Sequence, residues 1–177
     1  FANSLVALDI ATGERKWHYQ IIHHDIWDWD NPSAPILADL PNGKKVIMQV
    51  TKQSYVYTFD RENGEPIWPI VERPVPAGDV PGEWYSPTQP FPTLPAPFDR
   101  QTVTEDDLLD WSPELRALAL EATKGFRLST VLYTPPSLTD AADGTRGLLS
   151  LPSSTGGANW EGSTIDPETG ILYVPSR

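Results

Sequence analysis

An all-β fold built from repeated four-stranded units is predicted by three observations. A hairpin recurs in register, proline and glycine are too frequent for long helices, and apolar runs are no longer than a strand. Residues 5 to 17 read LVALDIATGERKW and residues 56 to 68 read VYTFDRENGEPIW, the second copy starting 51 positions after the first without a gap. Nineteen Pro and twelve Gly among 177 residues break extended helical patterns, while seven Trp supply large packing groups.

Each copy reads as a β-hairpin. Val6 and Leu8 alternate with Ala7 along one arm, and Thr12-Gly13 or Asn63-Gly64 supplies a turn whose glycine takes positive φ. Asp9 and Asp60 are placed to accept hydrogen bonds from the turn's backbone N–H groups. Trp17 and Trp68 leave the second strand at the same register and are expected to pack on a neighbouring unit.

Between the copies, Ala34 to Asp39 and the KKVIMQVTK segment read as two inner strands, the second half-buried by its pattern. Two inner strands and an outer hairpin, recurring at about 50 residues, make a propeller blade. Residues 69 to 99 contain nine prolines and are expected to form an extended, fixed loop. A short turn over 105–111 precedes a helix with Ser112 as cap, Pro113 at its first position and an apolar stripe of Leu115, Leu118 and Ala122. Lys124-Gly125 closes it. Residues 69–130 thus read as a Pro-rich loop and helix inserted between blades of one domain, 1–177. The last hairpin, IDPETGILYV at 165–174, reads as the inner pair of the next unit.

The densest chemistry is His23-His24-Asp25-Ile26-Trp27-Asp28-Trp29-Asp30. Such a connection crosses toward one end of a propeller's channel, where ligands bind. Its carboxylates and imidazoles suit a cation site or proton transfer, and flanking Trp rings would lower the local dielectric. The alternative is a structural loop with docked Trp rings. Lys52 ends an inner strand, either as a solvated terminus or as a cation for an anionic ligand oxygen. The 152–162 loop, PSSTGGANWEG, lacks a phosphate-loop pattern, and Asn159 and Trp160 could bond to and stack on a planar ligand, or simply form an interblade turn.

A net charge of −11 repels phosphate backbones and argues against nucleic-acid partners. With no Cys, disulfides, thiolate nucleophiles and Cys-ligated zinc are excluded, so redox chemistry needs a bound cofactor. No apolar run approaches the ~20 residues that span a bilayer. The opening Phe1-Ala2-Asn3-Ser4 reads as the entry to a strand, and the chain reads as a segment of a longer protein.

The repeat resembles the tryptophan-docking motif Ala-x-Asp-x-x-Thr-Gly-x-x-x-Trp of eight-bladed, PQQ-dependent quinoprotein dehydrogenases. Ala7 to Trp17 match it throughout, and the second copy carries Thr58 and Asn63 in place of Ala and Thr. HHDIWDWDNPSAPILADL, SPTQPFPTLPAPFD, YTPPS and GGANWEGSTIDPETGILYV are similar to segments of the membrane-bound glucose dehydrogenase branch. The resemblance implies a partial eight-bladed propeller of about three four-stranded blades. It implies a dehydrogenase that oxidises a glucose-like sugar or an alcohol by base-assisted hydride transfer to PQQ, with a divalent cation (Ca²⁺, Mg²⁺ or a lanthanide) as Lewis acid. Asp28 matches the catalytic base beside the metal, and Lys52 the cation at the quinone oxygens. Asn159 and the adjoining Trp160 match residues approaching PQQ, and Asp30 matches an extra metal-ligand position.

The same resemblance implies a periplasmic, inner-membrane-associated protein with a quinone electron acceptor. The family's Glu and Asn metal ligands and the Trp beneath PQQ belong to other blades. The segment alone is therefore expected neither to close nor to turn over substrate. The rival reading is a non-catalytic propeller scaffold or binding module, which needs the repeat but not Asp28, Lys52 and Asn159 together.

Overall fold

The three Asp-x-x-x-Gly turns organise the chain. In the computed structural model, which describes residues 1–176, each has the same construction. The Asp9, Asp60 and Asp166 carbonyls accept the N–H of Gly13, Gly64 and Gly170 at 2.8, 2.9 and 2.8 Å. Their carboxylates accept turn N–H groups, Ala11 at 3.0 Å, Glu62 at 2.8 Å and Glu168 at 2.9 Å. The glycine φ values of +74°, +77° and +72° lie in the left-handed region that a side chain disfavours.

The first turn joins β1 (Ser4–Leu8) to β2 (Arg15–Gln20) as an antiparallel pair. β3 (Ile36–Asp39), β4 (Lys45–Val50) and β5 (Val56–Asp60) form an antiparallel sheet in that order. β4 is more buried than its pattern predicts: every residue after Lys45 is enclosed, because apolar neighbours cover both faces. The expected fourth strand is reduced to one bridge, Phe59 with Pro66, flanked by two bonds, Ile67 N to the Thr58 carbonyl and Asp60 N to the Glu65 carbonyl. β10 (Thr164–Ile165) and β11 (Leu172–Tyr173) pair antiparallel, with β10 beside β3, as expected of an inner hairpin in the next blade.

Trp17 docks as predicted. It is buried against Phe59 and Gly64, and its indole N–H donates to the Arg61 carbonyl at 3.3 Å. Trp68 differs from expectation and is 37% exposed. No third outer hairpin of this kind occurs among the described residues to receive it.

Two further expectations are corrected between the blades. The proline-rich segment contains a paired ribbon, β6 (Ile70–Pro74) with β7 (Thr88–Pro92), rather than only an extended loop. Its prolines alternate along β7, where Pro90 and Pro92 face β6 without needing to donate at those positions. A short 3₁₀ turn at Glu105–Asp107 then leads to α1 (Pro113–Thr123). Ser112 caps that helix by accepting the Leu115 N–H at 3.2 Å. Its Leu115, Leu118 and Ala122 stripe faces outward, while Arg116, Ala119, Leu120 and Thr123 are the partly covered positions. Arg116 explains the rotation, since its guanidinium is drawn inward to the Glu105 and Leu108 carbonyls. β8 (Arg127–Leu128) and β9 (Leu148–Leu149) form a short parallel pair that leads back toward the inner hairpin.

Candidate active site

The site is assembled from three loops. The first follows β2. Trp27 and Trp29, two positions apart, stack with ring centres 5.6 Å apart, and both meet the buried Tyr133 edge-on. Their indole N–H groups donate to the Thr134 and Ser153 carbonyls at 2.8 and 2.9 Å. Asp28 lies between them, where the chain is not extended. Its φ of +62° is left-handed, a strained conformation for a non-glycine residue. The Asp28 side chain is 77% exposed, so the flanking indoles do not enclose the carboxylate as the sequence suggests. They fasten its loop to the protein instead.

The second loop is the tight β4–β5 turn. Thr51 N donates to the Tyr55 carbonyl at 3.0 Å, and Ser54 takes φ of +69°. The carbonyls of Lys52, Gln53 and Ser54 accept from Gly157 N, the Gln101 side chain and Phe98 N at 2.9, 2.7 and 3.0 Å. Turns are ordinarily exposed, but this one is buried throughout.

The Lys52 side chain is only 7% exposed, yet its ammonium reaches the mouth of the first loop. Nζ donates to the Asp30 Oδ1 at 2.6 Å and to the Asp28 backbone carbonyl at 2.7 Å, with Asp28 Oδ2 at 3.8 Å. A buried lysine needs such partners to stay charged. Two of its three N–H bonds are committed to these two bonds, which leaves a third for an incoming acceptor.

The third loop is 152–162. Gly156 (φ +78°) and Gly157 lie directly on the second. A Cβ at Gly156 would stand 2.4 Å from Lys52 Cβ and Cγ, and one at Gly157 would stand 2.1 Å from Ser54 Oγ. The Asn159 and Trp160 side chains are placed differently. Asn159 donates to the Thr155 carbonyl at 2.6 Å and accepts the Trp160 N–H at 2.7 Å, within its own loop, and Trp160 is 74% exposed.

The structure therefore joins Asp28, Asp30 and Lys52, and sets the backbone bearing Asn159 and Trp160 beside them without bringing those two side chains to the ammonium. His23 and His24 go elsewhere. His23 bonds to Glu72 at 3.0 Å and His24 to Glu83 at 2.8 Å, which pins the Asp28 loop to the 69–99 segment. Gln89 reinforces that attachment by donating to the His23 carbonyl at 2.6 Å and accepting its N–H at 2.8 Å.

Sequence reasoning missed Gln89 as an anchor and the two glycines as the bed of Lys52. A Gly-Gly pair before an aromatic was the available signal for the second, and nothing local marks the first. Among the described residues no group of three or more His, Cys, Asp or Glu is arranged to hold a metal. Asp28 and Asp30 can thus offer only part of a cation's shell.

Two carboxylates, Asp28 and Asp30, thus stand beside one buried ammonium on a set of blade-like antiparallel sheets. Residues 1–177 match the family described as PQQ, glucose/ethanol/alcohol dehydrogenase, beta-propeller domain, and the chain belongs to that family. It is 35% identical over 98% of its length to the quinate/shikimate dehydrogenase (quinone) of Acinetobacter baylyi. It is 37% identical over 98% to quinoprotein glucose dehydrogenase A of Acinetobacter calcoaceticus. The chain spans only 21% and 22% of those two proteins. Among solved structures, it superimposes on the quinohemoprotein alcohol dehydrogenase ADHIIG of Pseudomonas putida with a TM-score of 0.51. That match has 25% identity and covers 98% of this chain and 19% of the other.

Proposed function

We propose that this chain forms the base-bearing part of the active site of a PQQ-dependent dehydrogenase that oxidises a sugar or an alcohol. The observation that carries the reading is the buried Lys52 ammonium between Asp28 and Asp30, with one N–H left to donate. A buried cation on an anionic chain, bonded to the Asp30 carboxylate and 3.8 Å from the exposed one of Asp28, suits a ligand whose oxygens gain negative charge during reaction.

PQQ, when bound, supplies the two-electron acceptor. The residues present fit it in one respect: Lys52, with two N–H bonds used on Asp28 and Asp30, would donate its third to a quinone oxygen, and Asn159 and Trp160 are on the adjoining loop. Asp28 Oδ removes the substrate hydroxyl proton, which its exposure allows a substrate to reach. Lys52 holds the Asp28 carbonyl so that the carboxylate keeps its direction. Asp28 and Asp30 would contribute oxygens to a divalent cation, Ca²⁺ or another hard ion, whose remaining ligands belong to other blades.

Residues 69–130 are read as an insertion between blades, containing the β6–β7 ribbon and α1. A quinone acceptor is suggested by a relative named as a quinone-linked dehydrogenase, and a periplasmic, membrane-associated location is carried only by the family resemblance. No helix among the described residues is long and apolar enough to cross a membrane.

The test is reconstitution of the full-length protein with PQQ and Ca²⁺, assayed against aldoses, polyols, primary alcohols and cyclic hydroxy acids. PQQ-dependent dye reduction with at least one of these is expected. Binding of PQQ without oxidation of any of them would favour a non-catalytic propeller.

A further inference from the structure

We infer that Gly156 is a positioning residue for the reaction. Its missing side chain lets the 152–162 loop press on the Lys52 stem and so fixes where the ammonium stands relative to Asp28. This inference rests on the function proposed above and concerns a residue to which that reading assigns no part.

Three observations converge. The Gly156 backbone is left-handed at φ +78°, and an added Cβ would lie 2.4 Å from two Lys52 side-chain carbons and 2.6 Å from its Cα. Real Cβ atoms do not approach carbons that closely, so either the loop or the lysine must move. The loop has little freedom to yield. Gly157 N holds the Lys52 carbonyl at 2.9 Å, Gly156 N holds the Ser153 carbonyl at 2.9 Å, and Trp29 holds the same Ser153 carbonyl at 2.9 Å. The Lys52 stem is enclosed and ends in two short bonds. A displaced stem therefore carries the ammonium with it.

The ammonium also bonds to the carbonyl of Asp28, whose backbone is strained at φ +62°. Strained conformations persist only where surroundings over-determine them. Contact at Gly156 is thus relayed through Lys52 to the base, which makes the glycine a determinant of base geometry without touching substrate.

The experiment uses the full-length protein loaded with PQQ and Ca²⁺. Gly156→Ala is compared with Gly43→Ala, which imposes the same left-handed demand (φ +81°) where nothing lies within 4 Å of the new Cβ. Gly156→Ala is expected to lower kcat on the order of a hundredfold, the scale of a misplacement near ~1 Å. It should also weaken PQQ binding to the apoprotein, read by quenching of Trp fluorescence. Gly43→Ala should stay within about twofold on both readouts, since it shares only the backbone strain.

The deciding step repeats Gly156→Ala in a Lys52→Ala background, which keeps the overlap with Cβ but removes the ammonium. There the added loss should vanish. Losses that multiply independently, or a Gly156→Ala protein that matches Gly43→Ala, overturn the inference while leaving the proposed function intact. If Gly156→Ala does not fold, Gly157→Ala displaces the same loop through Ser54 instead, and a kcat unchanged in that variant overturns the inference. A full-length protein that oxidises nothing overturns the function and this inference with it.

Discussion

The indole of Trp17 lies against the bare α-carbon of Gly64, so close that a Cβ there would stand 2.5 Å from the ring. One hairpin's last tryptophan thus occupies the space that the next hairpin's glycine leaves vacant, and the left-handed turn and the interblade contact require the same residue. Gly64→Ala should destabilise the full-length protein by about 2–4 kcal/mol, combining left-handed strain with overpacking. Gly13→Ala, with the same turn and nothing within 4 Å, should cost only the strain, about 1 kcal/mol. Chemical denaturation of both variants measures the difference.

Trp29→Phe should keep the stacking on Trp27 and Tyr133 but lose the bond to the Ser153 carbonyl. We expect a loss of about 1–2 kcal/mol for the bond and its stranded acceptor. Faster amide exchange should appear in 152–162 and spare the β1–β2 hairpin. Exchange followed by mass spectrometry reads both.

Lys52→Met should leave the Asp28 carbonyl without its donor and Asp30 without its cation. A fall in kcat on the order of a hundredfold or more is expected, as for loss of a donor aimed at developing charge. Lys52→Arg should recover only part of it, because a planar fork does not fit a bed shaped around a narrow stem. Steady-state kinetics of the full-length variants test this.

At low pH, Asp143 offers a local probe. Bonds from the Thr145 hydroxyl and N–H, and then the Arg127 guanidinium, hold its carboxyl at about 2. A carboxyl depressed on folding adds stability above its ordinary range and loses it as pH falls toward that value. The melting temperature of Asp143→Asn should therefore fall less than wild type's between about pH 4 and 2.

The repeat was legible because its signals are local. Asp, Gly and Trp at fixed offsets dictate a turn and its register, and all three Asp-Gly turns formed alike. The cap of α1 was equally local, since Ser112 needs only the next three residues. Its exposed face was not, because Arg116 turns inward to carbonyls in the preceding 3₁₀ turn. In the site, Asp28 and Lys52 are 24 positions apart, and the sequence could suggest the chemistry of each but not the bond between them. The bed beneath Lys52 was hidden for a similar reason. A Gly-Gly pair reads as flexibility until the residue it accommodates, about a hundred positions earlier, is placed against it.

The proposed function makes Asp28 the proton acceptor. Asp28→Asn in the full-length protein, reconstituted with PQQ and Ca²⁺, keeps the shape of the side chain and the Lys52 contact to the backbone carbonyl. Single-turnover oxidation of substrate should slow by a thousandfold or more, about the upper range for a missing general base, with PQQ affinity changed by no more than a few fold. Oxidation at near wild-type rate in a variant that binds PQQ normally would contradict it.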